Sequence, residues 1–173
     1  MSSISVAPHV KLFAAILYQP TVDLPSVAQM LAEVFGSVQY IGTPIAFDCT
    51  NYYEEEMGPG LLRAIIGFTG PHYADILVEA KRACIELEKG CAVSEKRSVN
   101  LDVGYLDHHK IVLASTKAAG HKVYLDCGIY ADFVARYGGG SYAAMPWGFP
   151  DFKEQRYNED FVKLRALLRD HPG

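Results

Sequence analysis

The stretch Ser98–His121, SVNLDVGYLDHHKIVLASTKAAGH, decides how the fold continues past its first half. Val99 and Leu101 alternate with Ser98, Asn100 and Asp102, which is the period-two pattern of a strand with one apolar and one polar face. That strand is expected over Ser98–Asp102. The next segment reads two ways: Ile111 and Val112 suit a strand, whereas Asp107 suits a helix cap and Gly120 a helix stop. The helix is the favoured reading of Leu106–Ala118, with Gly104 as the sharp turn out of the strand. So many polar groups around an apolar centre are costly to bury unless each is satisfied, which singles the segment out as a candidate site.

Working upstream, Val10–Tyr18 is an apolar run fit for a buried strand, and Asp23 can cap a helix over Leu24–Phe35 that stops at Gly36. Val38–Asp48 reads as a strand broken at Gly42 and Pro44, and Leu61–Thr69 as another whose only charge is Arg63. A helix follows from Pro71 to about Lys89, with Ile76, Ala80, Ala83 and Leu87 as its inner face. The order is β-α-β-β-α-β, the ferredoxin-like split arrangement.

Downstream, a three-residue loop Asp126-Cys127-Gly128 would pair Leu125 with Ile129, Val123 with Ala131, Tyr124 with Tyr130 and Lys122 with Asp132. That register puts His121 opposite Phe133 on a buried face. Gly138-Gly139-Gly140 turns the chain into a strand near Tyr142–Pro146. Asp151 and Glu154 form a candidate capping box for a closing helix with Tyr157, Phe161, Leu164 and Leu168 inside. The expected fold is therefore α+β, a single domain over 1–173. Its ferredoxin-like core is extended by a C-terminal β-hairpin or meander and a closing helix.

The chain has 173 residues, half of them hydrophobic, enough to bury a sizeable core. A net charge of −4 without a Lys/Arg cluster argues against a nucleic-acid backbone binder. There is no secretory leader pattern and no run of about 20 apolar residues, so neither export nor a membrane span is expected. Cys49, Cys84, Cys91 and Cys127 are scattered without a C-x-x-C pair, which fits free thiols in a cytoplasmic protein. Phosphate-loop and dinucleotide-binding glycine motifs are absent.

Two functional readings stand side by side. In the first, a small anionic ligand, phosphorylated or carboxylated, is gathered by Asp48, Tyr52, Asn100, Asp102, Lys110, Lys117 and His121. Lys110 and Lys117 would neutralise the anion, Tyr52 would wall the pocket, and Asp102 and His121 would be the catalytic pair, handling protons or a divalent cation. No H-x-x-x-H or H-E-x-x-H spacing exists, so no metal is assigned and the cofactor is left open. The bland counterpart is that Asn100 and Asp102 only cap a turn, as Asx residues do, and that Glu54–Glu56 are a solvated helix start. In the second reading, the polar groups are structural. Tyr130, Tyr142, Trp147 and Phe149 then form a protein contact, as in a homo-oligomer.

Five segments together resemble one family: Phe47–Leu61 (FDCTNYYEEEMGPGL), Val99–Leu106 (VNLDVGYL), Leu113–Lys117 (LASTK), Lys122–Ala131 (KVYLDCGIYA) and Pro146–Phe152 (PWGFPDF). This is the bacterial and archaeal family catalogued as domain of unknown function 4416. The chain departs from its pattern at Val103, where a proline is usual, and at Cys49-Thr50-Asn51, where Phe-Thr-Asp is typical. The resemblance implies a single cytoplasmic domain and transfers no catalytic residue.

Overall fold

A computed structural model describes residues 6–92 and 96–169. The first half contains β1 (Lys11–Tyr18), α1 (Leu24–Phe35), β2 (Val38–Ile41), β3 (Ile45–Ala46), α2 (Glu54–Met57) and β4 (Leu62–Phe68). A 3-10 turn, Ala74–Ile76, leads into α3 (Leu77–Gly90), followed by β5 (Val99–Leu106) and β6 (Lys110–Ser115). The chain ends with β7 (Val123–Asp126), β8 (Ile129–Gly138), β9 (Ser141–Ala144), α4 (Pro150–Lys153) and α5 (Asn158–Arg169).

Among the described residues the strands form one sheet in the order β2-β4-β1-β5-β6-β8-β7, with β3 added to β4 and β9 to β8. Every pairing in it is antiparallel. The first four strands of that order are the ferredoxin-like core: α1 and α3 each carry the chain past one strand before it rejoins the sheet. The fold is α+β, as the sequence pattern implies.

Both faces of the sheet are covered, which explains the uninterrupted apolar run of β1. Leu12, Ala14 and Ile16 pack with Val27 and Leu31 of α1 and with Leu77 and Ala80 of α3. Phe13 and Ala15 face the opposite way, onto Phe161 and Leu164 of α5. Gly67 lets α5 seat closely, since a Cβ there would fall 2.2 Å from Leu164 Cδ2. The closing helix has the expected inner face: Tyr157, Phe161, Leu164 and Leu168 are all buried.

Three expectations are corrected. Leu106–Ala118 is not a helix, because Asp107 closes a hairpin instead of opening a turn of helix. Its Oδ1 accepts from the His109 and Lys110 N–H groups at 2.7 and 2.8 Å, and its own N–H donates to the Lys110 carbonyl at 3.0 Å. Ile111–Ala114 can then be buried on both faces as a strand. Gly104 consequently lies within β5. A Cβ at that position would stand 2.5 Å from the Val112 carbonyl oxygen, so glycine is needed for the close approach of β6.

The β7–β8 loop is shorter than expected. Asp126 pairs with Ile129 around Cys127 and Gly128, both at positive φ, and a bulge at Leu125 restores the expected Tyr124–Tyr130 and Val123–Ala131 pairs. Asp151, finally, is no helix cap. It is fully buried and pairs with Arg63 at 2.6 Å.

Replacing Gly104 by alanine should cost about 1–3 kcal/mol by forcing the hairpin strands apart. Leu164→Ala should cost about 2–5 kcal/mol by opening a cavity under α5. Urea denaturation of each variant measures both losses.

Candidate functional site

Among the described residues, β5 and β6 are paired where Gly104–Leu106 faces Ile111–Leu113, and no further. Beyond that point the strands separate, and the outward edge of β5 must find other partners. Side chains of α3 supply them. The Leu101 N–H donates to Glu88 Oε1 at 2.6 Å, and Lys81 Nζ donates to the Leu101 carbonyl at 3.0 Å. The inner face of α3 is therefore Leu77, Ala80, Lys81, Cys84 and Glu88, turned from the expected face so that two charged residues point at the sheet.

The separation leaves a cavity of about 650 Å³. Lys81, Ile85 and Glu88 line it from the α3 side. Across the sheet its floor carries Asn100 and Asp102 from β5, Leu113 and Ser115 from β6, and Asp132 from β8. Alternation places these together: Asn100 and Asp102 oppose the buried Val99, Leu101 and Val103, while Leu113 sits beside Gly104 and Asp132. Phe47, Tyr52 and Tyr53 form one side wall, and Phe149 and Pro150 another.

Two arginines set the floor. Arg63, buried, lies over the Phe47 ring at 4.6 Å and holds Asp151 at 2.6 Å and Asp102 at 3.3 Å. Burial pulls the Arg63 pKa down, but the two aspartates outweigh it and hold the guanidinium above its ordinary value. Arg97 donates from Nε and Nη2 to Glu56 at 2.6 Å each, and from Nη1 to Asn100 Oδ1 at 2.8 Å. With its oxygen so engaged, the Asn100 amide has only Nδ2 left, and that atom is buried without a partner. Asp132 Oδ1 is also buried and unbonded; His121 Nε2 approaches it to 3.5 Å without making a hydrogen bond.

The cavity also carries Lys122, which donates to Ser115 Oγ at 2.9 Å and pairs with Asp132 at 3.1 Å. Lys117 Nζ donates to the Tyr52 hydroxyl at 2.8 Å and lies 4.9 Å from the centre of that ring. Burial, with a smaller contribution from the Asp102 charge, pushes the Tyr53 hydroxyl up to about 12, so Tyr53 is neutral at physiological pH.

Four of the sequence-derived candidates line the cavity: Tyr52, Asn100, Asp102 and Lys117. Three do not. Lys110 is ion-paired with Asp107 at the hairpin tip, so Gly104 does not bring it beside Asp102. Asp48 is exposed and pairs with Arg156 at 2.5 Å. His121 is half-buried and stacks on Trp147, with ring centres 4.9 Å apart, touching the site only through Asp132. Asn100 and Asp102 are held by arginines and do not cap a turn. Lys81, Glu88, Arg97, Lys122 and Asp132 were not anticipated as site residues. The seven-residue spacing of Lys81 and Glu88, two turns apart beside Leu77 and Cys84, was the available signal.

Of the aromatics proposed as a contact surface, Trp147 is exposed, and its Nε1 donates to the Phe133 carbonyl. Tyr142 is buried and donates its hydroxyl to the Asp107 carbonyl, whereas Tyr130 and Phe149 are half-buried. No group of three His, Cys, Asp or Glu residues arranged to hold a metal occurs among the described residues.

Burial pushes the Glu88 carboxyl above its ordinary value, opposed by the Leu101 N–H and the charges of Lys81 and Arg97. With the folded pKa raised, the contribution of Glu88 to stability is full below its unfolded pKa and is lost as pH rises through the folded value. Glu88→Gln keeps the oxygen acceptor for Leu101. The stability of wild type relative to this variant should therefore decline as pH rises past the ordinary glutamate range, measured by urea unfolding as a function of pH.

No helix among the described residues is long and apolar enough to cross a membrane. No curated protein and no solved structure matches the chain. A family model described as a domain of unknown function, DUF4416, matches residues 8–167. With the match spanning the sheet, both helical layers and the cavity, the chain belongs to the DUF4416 family.

Proposed function

We propose that the cavity between β5 and β6 binds a small ligand bearing a phosphate or carboxylate group. The observation that carries this reading is the unpartnered Asn100 Nδ2, on a residue only 5 % exposed, at the floor of a cavity lined by four cationic side chains. A buried donor without an acceptor costs about 1–3 kcal/mol, a cost that a bound acceptor removes. The volume of about 650 Å³ lies within the usual small-molecule range.

Charge supports the same reading. The carboxylates of the cavity are engaged: Asp102 by Arg63, Glu88 by the Leu101 N–H and Asp132 by Lys122. Lys117 and Lys81 have no carboxylate within ion-pair distance among the described residues. Lys117 lies at the exposed edge of the cavity, held by one tyrosine hydroxyl that an anion can displace.

The test is a thermal-unfolding screen of the full chain against inorganic phosphate, sugar phosphates, nucleotides and small carboxylic acids, followed by calorimetry. A binding compound should stabilise the fold by about 2.7 kcal/mol at a hundred times its Kd. Lys117→Ala should weaken it roughly tenfold or more, and the uncharged analogue should not bind. If no phosphorylated or carboxylated compound raises the melting temperature at millimolar concentration, the reading fails.

A further inference from the structure

We propose that Arg97 sets the specificity of this site by fixing the Asn100 amide so that its NH2 end alone faces the cavity. The group bound there must then consist of acceptors, as an ionised carboxylate or phosphate does, and the corresponding amide is refused. This inference rests on the anion-binding reading above and names the residue that decides what kind of group Asn100 can recognise.

An asparagine side chain carries an acceptor at one end and donors at the other, on nearly the same shape. Left free, Asn100 could turn either end to the cavity and serve a donor or an acceptor alike. Arg97 Nη1 donates to its Oδ1 at 2.8 Å, so only the unpartnered Nδ2 is left for a ligand. A flipped amide would set its NH2 against the guanidinium, donor facing donor.

Arg97 is itself held. Its Nε and Nη2 donate to the two oxygens of Glu56 in α2 at 2.6 Å each, a planar two-point contact that fixes direction as well as distance. Nη1 also stands 3.6 Å from Glu88 Oε2. All three guanidinium nitrogens are thus committed, and Arg97 acts through Asn100 as a positioning residue. The hydrogen bond from Arg97 holds the Glu56 carboxyl below its ordinary value, so this anchor stays ionised at neutral pH.

The facing wall matches. Counting on along both strands from the Gly104–Leu113 pair brings Asn100 level with Lys117 across the gap. An ammonium also has donors and no acceptor, so both sides of the gap make the same demand.

Calorimetric titration of the full chain with inorganic phosphate, succinate and succinamide tests the inference. Wild type should bind succinate roughly tenfold or more tighter than succinamide. In Arg97→Met, succinate should weaken by a similar factor while succinamide binds tighter than it does to wild type. Arg97→Lys, which can still donate to Asn100 Oδ1, should keep part of the preference. If Arg97 contributed only charge or rigidity, succinamide would bind no better in Arg97→Met, and that result overturns the inference.

Two further readouts stand if Arg97→Met fails to fold or phosphate alone binds. Glu56→Gln should weaken phosphate by loosening the anchor, whereas removing a negative charge would otherwise tighten it. The Asn100 side-chain amide signal in a nitrogen-15 NMR spectrum, identified by its loss in Asn100→Asp, should move when phosphate is added. Tighter phosphate binding by Glu56→Gln, or an amide signal indifferent to bound phosphate, overturns the inference and leaves the anion reading intact. If neither phosphate nor succinate binds wild type, the inference falls, and the screen above decides the anion reading by itself.

Discussion

The site exists because two main chains part company and the peptide groups so exposed are satisfied from outside the sheet. A buried N–H or C=O that loses its strand partner must find another. At Leu101 the partners are the carboxylate of Glu88 and the ammonium of Lys81, two turns apart on the same helix. This clamp lets β5 remain a strand without β6 beside it, and it fixes the rotation of α3 against the sheet. The cavity, the inward charges of α3 and the exposed floor of β5 all follow from that one arrangement.

The opposite face depends on a second buried ionic cluster. Arg63 sits in β4 with no solvent to screen it, flanked by Phe47 and Phe149 and compensated by Asp151 and Asp102. Removing one member of such a set leaves an uncompensated buried charge. The cluster ties α4 to the centre of the sheet, and it fixes Asp102 at the cavity floor. Structure and site thus share residues here, and the polarity of the floor is inseparable from the packing of the C-terminal layer.

Much of this architecture is legible in the sequence. The helix over Leu24–Phe35 has its Asp23 cap and Gly36 stop, and the β-α-β-β-α-β order survives intact. The inner face of α5 repeats the pattern Tyr157, Phe161, Leu164 and Leu168. The segment Leu106–Ala118 misleads because a strand buried on both faces loses the alternation that identifies it, and because Asp107 can cap a helix or close a hairpin with the same side chain. The site was legible in part. Strand alternation marks Asn100 and Asp102, but nothing local says that Lys81 and Glu88 turn inward, since their partner is the backbone of a residue thirteen or more positions away.

The hairpin of β5 and β6, held together by three residue pairs with Gly104 in the last of them, has one more consequence. A void carved by small side chains can be refilled by enlarging one of them. A void framed by diverging backbones belongs to the path of the chain, and substitutions on its floor change its lining while its outline persists. The lining of this chamber can thus be rewritten without redrawing its walls.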